Sequence, residues 1–231
     1  MKEETENKNK IDFEELAKRY NIDLKSLEQE QKKLAKSISL KDSIDFSLAD
    51  KIAGIETTFF QNKIISAIVV LSPEMEIIEQ QYSSETLRFP YIPGFRSYRE
   101  LPCMIEAFNK LEETPDIIFI QGHGVTHPKL GLASHFSIST GIPSIGIADS
   151  LMDNNQIEGE DILQNEKKVG KVLKPKEHGN PLYISPGNLI SIKTSLELTK
   201  KFIIPPHKYP EPLHLARKYV KDTREELFSS G

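Results

Sequence analysis

Cysteine is almost missing. Cys103 is the only one among 231 residues. That excludes an intramolecular disulfide and any cysteine-built zinc cage, and it suits a reducing cytoplasm. Long apolar runs are missing too. The longest, such as Ile64 to Leu71, fall far short of the roughly 20 apolar residues that span a bilayer, so no membrane partner is expected. The N-terminus is charged from Lys2 onward, with no apolar stretch behind it, and no secretory signal is read there. Surplus positive charge is also lacking. Lys+Arg 30 against Asp+Glu 34 gives a net charge of -4, which excludes a generally basic nucleic-acid coat but not a local basic groove. What is present is an ordinary globular composition, 38% hydrophobic and 28% charged. The length suffices for one domain with a buried core.

Residues 1–10 are almost wholly polar and are read as a disordered tail. A single domain is expected over residues 11–222, with a polar tail over 223–231. Leu16, Tyr20, Leu24, Leu27, Gln31 and Leu34 recur at helical spacing, which predicts one or two amphipathic helices ending near Ser37. Asp42 to Asp50 reads as a connector. Ile52 to Phe60, Ile64 to Leu71 and Met75 to Tyr82 are strand-like and separated by short turn signals, which predicts an antiparallel meander. Leu101, Met104, Ile105, Phe108 and Leu111 mark a helix over Ser97 to Leu111. Asp116 to Ile120 and Pro143 to Ala148 read as short buried strands with a helix at Ser134 to Ser139 between them. That order implies parallel pairing after the meander. Val169 to Leu173 reads as an edge strand and Leu182 to Ser185 as a further strand. Helices are expected over Leu189 to Phe202 and Glu211 to Lys221. The result is one α/β domain with a mixed five-stranded core sheet.

Several residues carry potential chemistry. Glu56 lies mid-strand in IAGIETTFF. A carboxylate buried there needs a partner, while a solvent-facing position needs none and is the simpler reading in isolation. Glu100, at the start of a helix, suits the helix dipole. Gln121-Gly122-His123-Gly124 follows a strand, and ligands in α/β folds gather at the carboxyl ends of strands. His123, His127 and His135 have helix-compatible spacing, but Gly124 and Pro128 interrupt it, so hydrogen-bonding roles fit better than a zinc site. Pro90-Tyr91-Ile92-Pro93 holds an aromatic ring and an apolar side chain on a proline-stiffened loop. Such side chains can wedge between bases or dock on the protein's own core. Ser185-Pro186-Gly187-Asn188 reads as a turn with a helix N-cap. Lys167, Lys168, Lys171, Lys174 and Lys176 form a basic run that is either a solvated face or a phosphate contact.

Taken together, the segments from about Gln31 to about Val220 resemble the endonuclease V family. QKKLAKSISLKD, IAGIETTFF, PYIPG with YRELP, PDIIFIQGHGVTHPKLGLASHF, IPSIGIADS, PLYISPGNLISIKTSLEL and PEPLHLARKY occur in the family's order. The resemblance implies a ribonuclease H-like fold. It implies recognition of hypoxanthine (the base of inosine) in DNA or RNA, and cleavage of a phosphodiester bond on its 3′ side with Mg2+, or Mn2+ in its place. Hard cations of this kind take oxygen ligands and activate water. The implied metal positions are Glu56, Glu100 and Gln121, with Asp149 as a fourth catalytic position. The implied nucleic-acid contacts are Pro90, Tyr91, Ile92, Pro93 and Gly94 in the wedge, with Gly122, His123 and Gly124. A monomer in the cytoplasm, with inosine-containing nucleic acid as its partner, is the expectation.

The departures from the family pattern are chemical. The family has aspartate where this chain has Glu56, a second aspartate at Gln121, a lysine at Asp149, and a histidine or acidic residue at Arg217. Only Glu100 is kept. Glutamate for aspartate adds a methylene, and a displacement of about 1 Å can cost roughly 10²-fold in rate. Gln121 keeps an oxygen but loses an anionic ligand. Three outcomes follow: a nuclease with weakened or rearranged catalysis through Glu56, Glu100 and Asp149, a silent protein that binds the same lesion, or a protein-interaction module.

Overall fold

Both faces of a single sheet carry apolar side chains, and the architecture follows from covering them. The computed structural model describes residues 12–176 and 179–228. Strands β1 (Ile52–Phe60), β2 (Lys63–Leu71) and β3 (Ile77–Thr86) form the expected antiparallel meander. β4 (Ile117–Gln121) pairs parallel to β1, and β5 (Ser144–Ala148) pairs parallel to β4. These five are the strands read from the sequence, but the sheet does not end there. β9 (Leu182–Asn188) joins β5 antiparallel, and β8 (Lys167–Leu173), β7 (Asp161–Gln164) and β6 (Gln156–Glu158) continue it. The sheet therefore has nine strands, in the order β3-β2-β1-β4-β5-β9-β8-β7-β6, rather than five. Of the extension, β8 and β9 were read in part, as Val169 to Leu173 and Leu182 to Ser185, whereas β6 and β7 were missed because they are short and polar.

The central strands read as unbroken apolar runs because helices cover both faces. On one face Ile52, Ile117, Phe119, Ile145 and Ile147 pack with Leu198 and Phe202 of α5 (Ile192–Phe202) and Leu213 of α6 (Glu211–Phe228). On the other, Ala53, Ile55, Ile118 and Ile120 pack with Leu101 and Met104 of α3 (Arg96–Phe108) and Leu132 and Phe136 of α4 (Leu132–Thr140). α6 lies so close to β1 that a Cβ on Gly54 would overlap the backbone of Pro212. The predicted N-terminal helical region is two helices, α1 (Phe13–Arg19) and α2 (Leu24–Ala35), capped by Asp12 and Asp23.

Further expectations are corrected. Val169–Leu173 belongs to β8, which is internal between β7 and β9. Ser185 to Asn188 lies inside β9, and the helix N-cap falls on Ser191, whose Oγ accepts from the Thr194 amide. Local Pro-Gly turn chemistry gives way there to pairing with β5, where the register shifts at Ser144 and Ile145. Residues 223–228 are not a polar tail: α6 runs on to Phe228, whose ring stacks on Phe60. The predicted 1–10 tail lies outside the described residues. No helix among the described residues is long and apolar enough to cross a membrane.

Candidate functional site

Two parallel ladders close side by side. The β1–β4 ladder closes at Ile55 and Ile120, and the β4–β5 ladder at Gln121 and Ile147. Glu56, mid-strand in β1 but just past its ladder with β4, therefore stands beside Gln121 and Asp149 at the carboxyl ends of β4 and β5, where crevices form in open α/β sheets. α3 brings Glu100 to the same place, and α6 brings Arg217.

Each carboxylate there has its own cation. Arg96, one turn ahead of Glu100 on α3, donates Nε to Oε1 at 2.6 Å and Nη2 to Oε2 at 3.0 Å, while Glu100 itself is only 3% exposed. Arg217 Nε stands 3.5 Å from Glu56 Oε2, and its guanidinium lies over the Tyr209 ring at 4.3 Å. Asp149 accepts Lys208 Nζ at 2.6 Å, the Tyr209 hydroxyl at 2.6 and 2.8 Å, and Gln121 Nε2 at 2.7 Å. Glu56 also accepts the Thr57 amide at 3.0 Å. Burial pushes the Glu56 carboxyl up, with Arg217 and Arg96 pulling the other way. Burial works against the Asp149 carboxylate as well, but its bonds from Lys208, Tyr209 and Gln121 win and hold it below the usual range.

The glycine loop is shaped first by the protein's own packing. Gly122 takes φ +147, and a Cβ there would lie 3.1 Å from Arg96 Nη1, so that guanidinium stands directly over it. A Cβ on Gly124 would overlap the Pro186 carbonyl of β9. His123 Nδ1 bonds Thr126 Oγ1 at 3.1 Å, and burial with the nearby Arg96 pushes its pKa down to about 4. His127 Nδ1 accepts the Lys129 and Leu130 amides, each at 3.2 Å. His135 lies on α4 with its ring edge-on to Tyr98. The three histidines hold local structure and do not converge on one point.

The proline loop divides its two large side chains. Ile92 is 3% exposed and packs with Phe95 and Ala17, whereas Tyr91 is 60% exposed. Pro90 is half-buried and Pro93 exposed. Gly94 takes φ +82, and its carbonyl accepts from Gln31 Nε2 of α2 at 3.0 Å. Arg99 lies under the exposed ring at 5.9 Å and over Phe59 at 4.4 Å. The loop is thus an inward anchor carrying an outward aromatic.

A hard divalent cation needs anionic oxygens not already neutralised. Glu56, Glu100 and Asp149 are matched by Arg217, Arg96 and Lys208. Gln121 offers only a neutral oxygen, Oε1, which is buried without a partner. Displacing Arg96 alone would break two bonds between charged groups, worth about 1.5–3 kcal/mol each. A millimolar ion gains only about 4 kcal/mol on binding. The donor set does not fit magnesium. What is left over is Arg217 Nη1, buried and without an acceptor, which suits an anion better than a cation.

Arg96, Lys208 and Tyr209 were not singled out in the sequence. Arg96 carried one weak signal, its position four residues before Glu100 and just ahead of the helix predicted from Ser97. Lys208 and Tyr209 come from the loop before α6, distant in sequence from Asp149, and carried none.

The endonuclease V family model matches residues 32–218. The endonuclease V of Thermosipho melanesiensis is 39% identical over 210 residues, covering 85% of this chain and 91% of that protein. That of Archaeoglobus fulgidus is 31% identical over 212 residues, covering 89% and 96%. The crystal structure of the Bacillus subtilis enzyme superposes with a TM-score of 0.85 at 26% identity, covering 92% and 97%. Endonuclease V of Ciona intestinalis, solved in complex with DNA containing an inosine followed by a ribo-adenosine, superposes at 0.79 with 20% identity, covering 88% of this chain and 98% of that one.

Proposed function

The chain belongs to the endonuclease V family, and from that premise we propose that it binds inosine-containing DNA or RNA without cutting it through a magnesium centre. The observation that carries this reading is the one-to-one pairing of Glu56, Glu100 and Asp149 with Arg217, Arg96 and Lys208. In the family reaction, surplus carboxylates hold the metal that activates water. Here the surplus is cancelled, while the parts that would recognise a displaced base remain. Inosine-containing DNA is the ligand of the Ciona protein, and we carry that ligand class over. The meander followed by parallel strands supports the ribonuclease H-like reading of the fold.

In this mechanism the exposed Tyr91 ring fills the space left when the deaminated base leaves the stack, which limits the cost of unstacking. Ile92 and the Gln31 bond to Gly94 keep the loop from moving aside. Arg217, whose side chain is 40% exposed, meets a backbone phosphate. Glu100, fully paired and buried, positions Arg96 over Gly122 and moves no proton.

The test is a paired assay of binding and cleavage on inosine-containing and ordinary strands, with magnesium, manganese or chelator. Binding that prefers inosine, is unaffected by chelator and gives no product is the expected result. Tyr91→Ala should weaken inosine binding roughly 5- to 150-fold, the equivalent of about 1–3 kcal/mol of stacking, with the fold unchanged. Magnesium-dependent cleavage 3′ to the inosine that disappears in Glu100→Gln would overturn the reading and establish a weakened nuclease. Absence of binding at low salt would leave the protein-interaction module instead.

A further inference from the structure

Outside the carboxylate crevice, one group of metal-ligating side chains converges. His207, Glu211 and His214 each present a ligand atom, and these atoms all lie within 4.8 Å of one another. The helix makes part of the arrangement: Glu211 and His214 are three residues apart at the start of α6 and so share one face. The incoming loop supplies the rest. Its His207 ring stacks on His214 at 3.6 Å between centroids, tilted by 16°, and His207 Nδ1 bonds Glu211 Oε2 at 2.6 Å; an ion would take the place of that bond, with the two rings turning out of the stack to bring their nitrogens onto it. All three residues are half-buried, which leaves the cluster shielded yet reachable.

We propose that His207, Glu211 and His214 form a binding site for a divalent transition ion of the zinc class, separate from the family's carboxylate centre. Two imidazoles and one carboxylate are the donors that zinc and its first-row neighbours prefer, and a hard ion such as magnesium does not. Three protein ligands leave a coordination position open to water. Bound zinc would tie the loop to the first turn of α6. The loop is already held at its base by the Ile203–Pro210 bridge, and it carries the Lys208 and Tyr209 groups that bond Asp149. The ion would act as a clamp on one wall of the crevice.

The experiment is titration of the full chain with zinc alone, followed by calorimetry and thermal unfolding. One equivalent is expected to bind at micromolar concentration or tighter and to raise the unfolding temperature. A thousandfold excess of magnesium should not compete. His207→Ala, Glu211→Gln and His214→Ala should each weaken binding at least tenfold. Cobalt offers a reading that needs no variant: wild-type protein should give the intense visible bands of a four- or five-coordinate ion. The pale spectrum of six-coordinate cobalt, or stoichiometric zinc binding retained when all three side chains are replaced, would overturn the proposal. Neither result depends on whether the chain binds nucleic acid.

Discussion

Gln121 shows how far the chemistry of the crevice has been rebuilt around single residues. Its amide donates to Asp149 at 2.7 Å. Restoring an acid there therefore sets two carboxylates against each other, and one must rise in pKa or take a proton. Gln121→Asp is expected to lower stability by about 1–3 kcal/mol near neutral pH, the penalty for leaving a polar group without its partner. Magnesium binding should not return, because Arg96 and Arg217 still neutralise Glu100 and Glu56. Adding Asp149→Asn should recover most of the lost stability. Denaturant unfolding of both variants, with calorimetric magnesium titration, checks this; tight magnesium binding by Gln121→Asp alone would contradict it. The departures expected from the family pattern, at positions 56, 121, 149 and 217, were read from the sequence. Their compensation was not, because an ion pair is a fact of three-dimensional proximity. Arg217 reaches Glu56 from α6, and Lys208 comes from a loop some sixty residues beyond Asp149.

At the scale of elements, legibility followed periodicity. The meander, β4, β5, α3 and α4 carry apolar patterns that only a covered sheet explains, and they were read where they lie. The short polar strands β6 and β7 lack such a pattern: Ile162 is their one fully buried side chain, and cross-strand bonds do most to hold them in the sheet. The end of α6 failed for a related reason. DTREELF reads as solvated, yet Thr223 is buried and Phe228 reaches Phe60 across the fold. What orients α6 is a missing side chain. Gly54 lets the helix sit on β1, two residues before Glu56 and one turn of helix ahead of Arg217. Gly54→Ala would push the Pro212 backbone away and is expected to cost about 1–3 kcal/mol or more, as overpacking does. It should also loosen the Arg217–Glu56 pair. Unfolding midpoints measure the first effect. The second appears as a larger fall in nucleic-acid affinity than Tyr91→Ala gives, if the pair orients Arg217.

Over the whole molecule, stability should depend on pH through imidazoles that burial keeps neutral, His123, His127 and His135 among them. Burial pushes His127 as well as His123 down to about 4, whereas an unfolded histidine titrates near 6.5. As pH falls from about 6.5 to about 4 the unfolded chain takes up protons that the native chain refuses, so stability declines across that window. Above it both states are neutral and the contribution is complete. Below it both are protonated and the loss from these groups stops. Urea midpoints should therefore drop between pH 7 and pH 5, and His127→Gln should drop less.

Charge sets the remaining global property, the salt dependence of binding. Within the lysine run that seemed a candidate phosphate surface, Lys168 and Lys171 both pair with Asp161, at 2.7 and 2.6 Å. The cations of the crevice are paired too, and the whole chain carries -4. Phosphates must therefore compete with carboxylates for Arg96, Arg217 and Lys208, and only two or three contacts are expected. Each neutralised phosphate contributes about -0.9 to the slope of log affinity against log salt on duplex DNA. The slope should lie near -2 to -3, a loss of roughly 10- to 50-fold between about 50 and 200 mM salt. Lys168→Ala should leave it unchanged, while Arg217→Gln should flatten it by about 1. Fluorescence anisotropy over a salt series decides the matter. A slope steeper than about -6, the range of proteins that make many phosphate contacts, or one that moves with Lys168, would place the binding surface on β8 rather than beside Glu56 at the carboxyl ends of β4 and β5.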